Sequence, residues 1–179
     1  MRWKKNENKN VLQQNFTVKQ PNEVWVSDVT YFNHNGLVYY LCVIMDLFSR
    51  KIIAHKISKK HSTQLITKTF KAAYQLRTPQ PGLIFHSDRG APYTSYAFRE
   101  LLYKNQIKQS LSRSGKPHDN AVSESFFSSL KREELYRRKY RSERELYRYI
   151  DEYIDFYNKK GRMLIYATVH LKSLRKKQA

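Results

Sequence analysis

Hydrophobic residues follow two different rhythms along this chain. Between residues 23 and 57 they come in three dense runs rich in β-branched and aromatic types, 23–32, 37–45 and 51–57, with apolar side chains on both parities. Runs of this kind predict strands covered on both faces. Asn33-His-Asn-Gly36 and Asp46-Leu-Phe-Ser-Arg50 separate them as short turns, so the three strands form an antiparallel meander. After Ser62 the period changes: Leu65, Ile66, Phe70, Ala73 and Tyr74 form the stripe of a helix that ends at Thr78-Pro-Gln-Pro-Gly82. A short buried strand follows at 83–87, a loop at 88–93, a helix at 95–105 with Phe98, Leu101 and Leu102 inward, and a fifth strand at 107–111.

The next stretch is a basic, flexible loop, Ser112-Arg-Ser-Gly-Lys-Pro117, and then a helix that Asp119 or Asn120 can cap. At about 100° per residue, Val122, Phe126, Phe127 and Leu130 fall on one side of it, and Glu124, Ser128 and Lys131 on the other. A second long helix opens at Ser142, with Leu146, Tyr149, Ile150, Tyr153, Ile154 and Tyr157 at helical spacing. That stripe is read as packing. Three antiparallel strands, then helix, strand, helix, strand and long helix describe an α/β, ribonuclease-H-like fold. Its five-stranded mixed sheet has three antiparallel strands and then two parallel ones, flanked by helices.

That layout gives three acids a common address. Asp28 interrupts the first, central strand; Asp88 ends the neighbouring fourth strand ahead of a glycine; Glu124 projects from the helix packed beside them. Asp is disfavoured in strands and costly to bury unless paired or bound to a metal. Each acid alone has a plainer reading, Asp28 as a strand-end residue and Glu124 as a solvated one. Asp46, opening a turn, is given the turn role. Three converging oxygen donors without cysteine select a hard cation, Mg²⁺ or Mn²⁺, and a pair of ions suits an in-line phosphoryl transfer.

Charge points to the same substrate. Thirty-four Lys and Arg against 15 Asp and Glu give +19, spread along all 179 residues. A polyanion rewards such a surface, whereas a neutral small molecule does not require it. The single Cys42 lies in an apolar run, which excludes a disulfide framework and a cysteine zinc site. The longest apolar run is too short to span a bilayer, and the N-terminus lacks a signal-peptide core. A soluble cytoplasmic protein with no membrane partner and no small-molecule cofactor is expected.

Thirty-five residues separate Asp88 from Glu124, and Lys131 comes seven positions after Glu124. This spacing resembles the catalytic core of retroviral integrases and of insertion-sequence transposases of the two-frame, OrfB type. Pro21-Asn-Glu-Val-Trp-Val-Ser-Asp28-Val-Thr-Tyr, Val43-Ile-Met-Asp46-Leu-Phe-Ser-Arg50, His86-Ser-Asp88-Arg-Gly and Gly115-Lys-Pro-His-Asp-Asn-Ala-Val-Ser-Glu124-Ser-Phe-Phe-Ser-Ser-Leu-Lys131 are closer to the transposases. The resemblance implies that Asp28, Asp88 and Glu124 form a metal-binding catalytic triad. It implies that Lys131 contacts DNA near the cleaved phosphate, with Arg89, Tyr93, Lys116, His118 and Asn120 as further DNA-binding candidates. Capping and turn formation also account for Asn120 and Arg89. The implied partners are transposon ends and target DNA, bound by a homo-oligomer. Two alternatives stay open: another nuclease of this fold, such as a ribonuclease H or junction resolvase, and an inactive DNA-binding remnant.

The chain divides accordingly into an N-terminal arm or linker remnant at 1–20, an integrase core at 21–160, and an aberrant tail at 161–179. The family's helical segments before the core are not seen in the roughly twenty residues ahead of the first strand, so recognition of transposon ends is expected to be absent. Where the family reads Tyr-Asn, two variable residues, Arg-Pro-His and later Thr-Pro, this chain has Tyr157-Asn158-Lys-Lys160 followed by Gly161-Arg-Met-Leu-Ile-Tyr-Ala-Thr-Val-His-Leu171. Codons can be chosen for Lys160 to Leu171 that, read in a shifted frame, spell Arg-Pro-His-Ala-Tyr-Leu-Arg-Tyr-Ser-Thr-Pro. The hypothesis is that the tail is out of frame and the copy decayed. Sequencing the encoding DNA checks it: a neighbouring frame from about Lys160 should encode Arg-Pro-His and Thr-Pro, and the hypothesis fails if none does.

Overall fold

The computed structural model describes residues 18–112 and 121–177, with side-chain surroundings as far as Lys160. Five strands make one sheet: β1 (Val24–His34), β2 (Leu37–Asp46), β3 (Ile52–Ser58), β4 (Ile84–Ser87) and β5 (Lys108–Leu111), in the order β3-β2-β1-β4-β5. The first three pair antiparallel, and β4 and β5 extend the sheet in parallel from β1. This is the mixed, centrally placed β1 arrangement read from the sequence. Asn35 and Gly36 take positive φ values of 49° and 74° at the β1–β2 hairpin, the conformation an asparagine-glycine turn supplies with least strain.

Helices cover both faces. On one side lie α1 (Thr63–Arg77), the single-turn α2 (Ala91–Thr94) and α3 (Tyr96–Lys104); on the other lie α4 (Ala121–Leu130), a π-helical turn (Lys131–Leu135) and α5 (Glu143–Lys177). Ser62 caps α1 by accepting from the Leu65 amide at 3.3 Å, and Ser95 caps α3 by accepting from the Phe98 amide. The second half of the expected loop at 88–93 instead belongs to one helical turn, 91–94, with Pro92 in its first positions where a missing N–H costs nothing.

Trp25, Ile44, Phe70, Phe85, Tyr93 and Phe98 pack beneath α1–α3, and Phe85 meets Phe98 edge-on at 5.4 Å between ring centroids. Leu41, Val43, Phe126, Leu130, Ile150 and Tyr153 form the second core, beneath α4 and α5. The tyrosine stripe of α5 packs as read: Tyr157 meets Phe126 edge-on at 4.8 Å, and Tyr153 donates to Glu133 at 2.9 Å. Cys42 is a buried thiol, and burial pushes its pKa up to about 11.

Two polar contacts fix the outer parts of this frame. Asp46 is fully buried and accepts from the Asn22 amide at 3.2 Å and from the Ser49 amide and hydroxyl at 3.3 and 2.6 Å, the turn role assigned to it. Asn158 fastens α5 to strand β3: its amide oxygen accepts from the Ile52 N–H at 2.8 Å and its NH₂ donates to the Ile52 carbonyl at 3.0 Å. Asn158→Ala should therefore cost about 1–3 kcal/mol, since it leaves both Ile52 groups unpaired. Urea denaturation monitors the loss; a change within about 0.5 kcal/mol would show that solvent replaces the clamp.

Candidate active site

Alternation along β1 sends Val24, Val26 and Asp28 toward α4, and Trp25 and Ser27 toward α1–α3. Asp28 is half-buried, and its Oδ1 accepts from the Val29 amide at 2.8 Å. β4 pairs with β1 only as far as Val26–His86, so the sheet opens at Asp28. Asp88 follows the end of β4 at this opening. Its Oδ1 accepts from the Gly90 amide at 2.9 Å, and a Cβ on Gly90 would stand only 3.0 Å from that oxygen. Gly90 leaves room for the carboxylate. Glu124 is exposed in the first turn of α4.

Electrostatics ties the three acids together. Burial pushes the Asp28 carboxyl up to about 7; the Val29 N–H pulls it down, and the negative charges of Asp88 and Glu124 raise it further. Among the described residues no three His, Cys, Asp or Glu side chains are already gathered as a metal cage. The acids stand within electrostatic reach of one another without having closed on a common point. An all-oxygen donor set whose central member resists ionisation until a positive charge arrives fits a hard divalent cation.

The other candidates fare differently. Tyr93 is not placed to touch DNA: it is 1% exposed, its ring packs against Phe85 and Phe98, and its hydroxyl lies 2.8 Å from Ser27 Oγ. It braces β1 one residue before Asp28 from the opposite face. Arg89 is exposed and donates through Nε to the Ser112 carbonyl at 2.8 Å, bridging the ends of β4 and β5. Lys131 is half-buried, its ammonium 5.4 Å from the centroid of the Tyr31 ring, which is 63% exposed on β1. Lys116, His118 and Asn120 lie outside the described residues, as do the rest of the predicted loop after Ser112 and the other capping candidate, Asp119.

Ser27, Gly90 and Tyr31 escaped the reading of the sequence as site residues. Gly90 had a usable signal, a glycine two positions after a strand-end aspartate; a serine and a tyrosine in an apolar run had none. The central acid gives a test of its own. Folded Asp28 keeps its proton up to about pH 7, whereas the unfolded chain loses it near 3.8, so the native state binds more protons between those values. Metal-free stability attributable to Asp28 is then complete below pH 4 and declines as pH rises toward 7. Asp28→Asn should match the wild-type chain at low pH and exceed it by about 1–3 kcal/mol near neutrality. Urea titrations in a chelator check this, and parallel pH slopes for the two proteins would refute it.

Comparison with known proteins places this geometry. Two models described as integrase core domain match residues 18–117 and 105–162. The transposase for insertion sequence element IS904 of Lactococcus lactis is 38% identical over 86% of this chain and 61% of its own length. The putative transposase InsK for IS150 of Escherichia coli is 38% identical over 83% and 53%, so the chain spans little more than half of these relatives. An uncharacterized transposase-like protein of Haemophilus influenzae is 39% identical over 83% of this chain and 68% of its own. The catalytic domain of Mos1 mariner transposase superposes with a TM-score of 0.63 at 18% identity, covering 75% of this chain and 70% of that one. The HTLV-2 integrase catalytic core domain in complex with magnesium gives 0.52 at 25% identity, covering 63% and 69%. The chain belongs to the integrase core domain family, and its relatives include transposases of insertion-sequence elements.

Proposed function

We propose that the chain is the catalytic core of a DNA transposase, a polynucleotidyl transferase that cuts a DNA strand and joins the freed 3′ end to target DNA. The observation that carries this reading is the coupling of Asp28 to Asp88 and Glu124 at the opening between β1 and β4. Asp28, Asp88 and Glu124 would hold two divalent ions, Mg²⁺ or Mn²⁺. Bound there, such ions supply activation of the attacking oxygen and charge neutralisation at the leaving oxygen of an in-line displacement.

The remaining steps belong to this chain's own side chains. Asp28, held at the sheet's centre, would serve as a ligand in its ionised form, which burial and the neighbouring acids disfavour and a nearby positive charge would favour. Asp88 is kept in register by the Gly90 amide. Lys131, steadied against Tyr31, holds the DNA backbone beside the acids, and the surface carrying +19 concentrates DNA around them. Cleavage transfers the phosphoryl group to water and leaves a 3′-hydroxyl; joining transfers a target phosphoryl group to that hydroxyl, breaking the target P–O3′ bond and releasing the target's own 3′-hydroxyl. No covalent protein–DNA bond is formed. Working oligomers would assemble on paired DNA ends. The core spans 21–160; the family match stops at residue 162, which supports an out-of-frame tail beyond Lys160.

The test is Mn²⁺-dependent nicking and disintegration of a branched DNA, comparing this chain with Asp88→Asn and Glu124→Gln. Each substitution should lower the rate by at least about 100-fold while duplex binding persists. Nicking that is indifferent to both changes, or no nicking by the unaltered chain, would overturn the reading in favour of a DNA-binding relic.

A further inference from the structure

Beyond the acids, the exposed side of α4 continues into a second basic surface. Lys131 lies seven residues after Glu124, on the same face of the helix. The π-helical turn then adds a residue to the turn. The Tyr136 N–H donates five residues back to the Lys131 carbonyl at 3.0 Å, bringing Tyr136 above Lys131. Tyr136 is 70% exposed and opens the connector to α5, where Arg137, Arg138, Lys139, Arg141 and Arg144 are all exposed and Glu143 is the one carboxylate before residue 145.

The base of this connector is rigid. The guanidinium carbons of Arg138 and Arg148 lie 4.1 and 4.7 Å from the Tyr149 ring centroid, and Arg138 Nε pairs with Glu134 Oε1 at 2.9 Å. Tyr140, buried, donates to the Glu134 carboxylate at 3.1 Å. Glu143 is drawn the other way, toward the Tyr39 hydroxyl at 2.7 Å and the Lys59 ammonium at 2.5 Å. Arg137, Lys139 and Arg141 are thus presented on a braced scaffold whose flanking acids in sequence, Glu134 and Glu143, are already engaged. From Glu124 to Tyr136 the helix rises about 18 Å, the length of roughly five base pairs.

We infer that the connector between α4 and α5 is a second contact for duplex DNA, gripping the phosphate backbone about five base pairs from the reacting phosphate through Arg137, Lys139 and Arg141. It extends the proposed active site along the duplex and rests on that reading for the identity of its partner. Contacts of this kind carry no base sequence and set the direction in which the duplex leaves the acids.

Fluorescence anisotropy of a labelled duplex of about 30 base pairs, with the full chain in chelator and salt varied from about 50 to about 200 mM, tests the surface. Arg137→Gln with Lys139→Gln and Arg141→Gln removes three charges and leaves Arg138 and Arg148 packed on Tyr149. Lys68→Gln with Lys71→Gln and Lys108→Gln removes three exposed charges from α1 and β5 as the control. The connector variant should bind at least about tenfold more weakly and lose about two to three units of the log–log salt slope, with less than about a threefold effect for the control. Equal losses for both variants, a loss for neither, or competition by poly-glutamate as strong as by DNA would overturn the inference. Nicking failure with this contrast intact would defeat the catalytic reading alone; nicking without the contrast would defeat the connector surface alone.

Discussion

A carboxylate in the central strand of a sheet is expensive, and much of this structure answers to that expense. Asp28 sits where β1 has apolar cores on both sides, and burial outweighs the one backbone N–H that supports its ionised form. The sheet relieves the site by parting at that level: four-residue β4 leaves β1 after Val26, and the second acid stands at the lip of the gap. Extending the parallel pairing past Asp28 would close the opening and bury the charge further. The shortness of β4 is therefore as much part of the centre as the acids.

The two faces of the sheet contribute unequally. Beneath α1–α3 the aromatic cluster of Phe70, Phe85, Tyr93 and Phe98 immobilises β1 and β4, and Tyr93 reaches Ser27 directly behind the acid. The face under α4 and α5 carries the proposed chemistry, with Glu124 and Lys131 on a helix whose other side is anchored by Phe126 and Leu130. One face holds still so that the other can present charge. The Asn158 clamp then ties α5 to the outer strand β3, so that the wall behind α4 is continuous with the sheet.

Most of the fold could be read from the chain because its signals are local. Dense β-branched runs, an asparagine-glycine hairpin and helical stripes each act within a dozen residues, and the order of elements left few topologies. The helical turn at 91–94 is hidden mostly within the loop expected at 88–93, since proline and glycine mark turns and helix starts alike. At the site, Asp28 stood out because an acid is unusual inside an apolar strand, and Asp88 and Glu124 through the layout that gives the three a common address. Tyr93 was misassigned because sequence proximity to Asp88 says nothing of which side of the sheet a ring will face; that is decided by the Phe85–Phe98 pocket. The π-helical turn at Lys131–Leu135 had no sequence signature, since it depends on how α4 meets the connector.

Gly90 carries a lesson for inheritance. A methyl group there would meet Asp88 Oδ1 at 3.0 Å, tight enough that the carboxylate must give way by a few tenths of an ångström. A side chain at this position would therefore press on the Asp88 carboxylate of the proposed centre while every acid stayed in place. In related sequences the glycine two positions after the second acid is then a feature to compare together with the three acids.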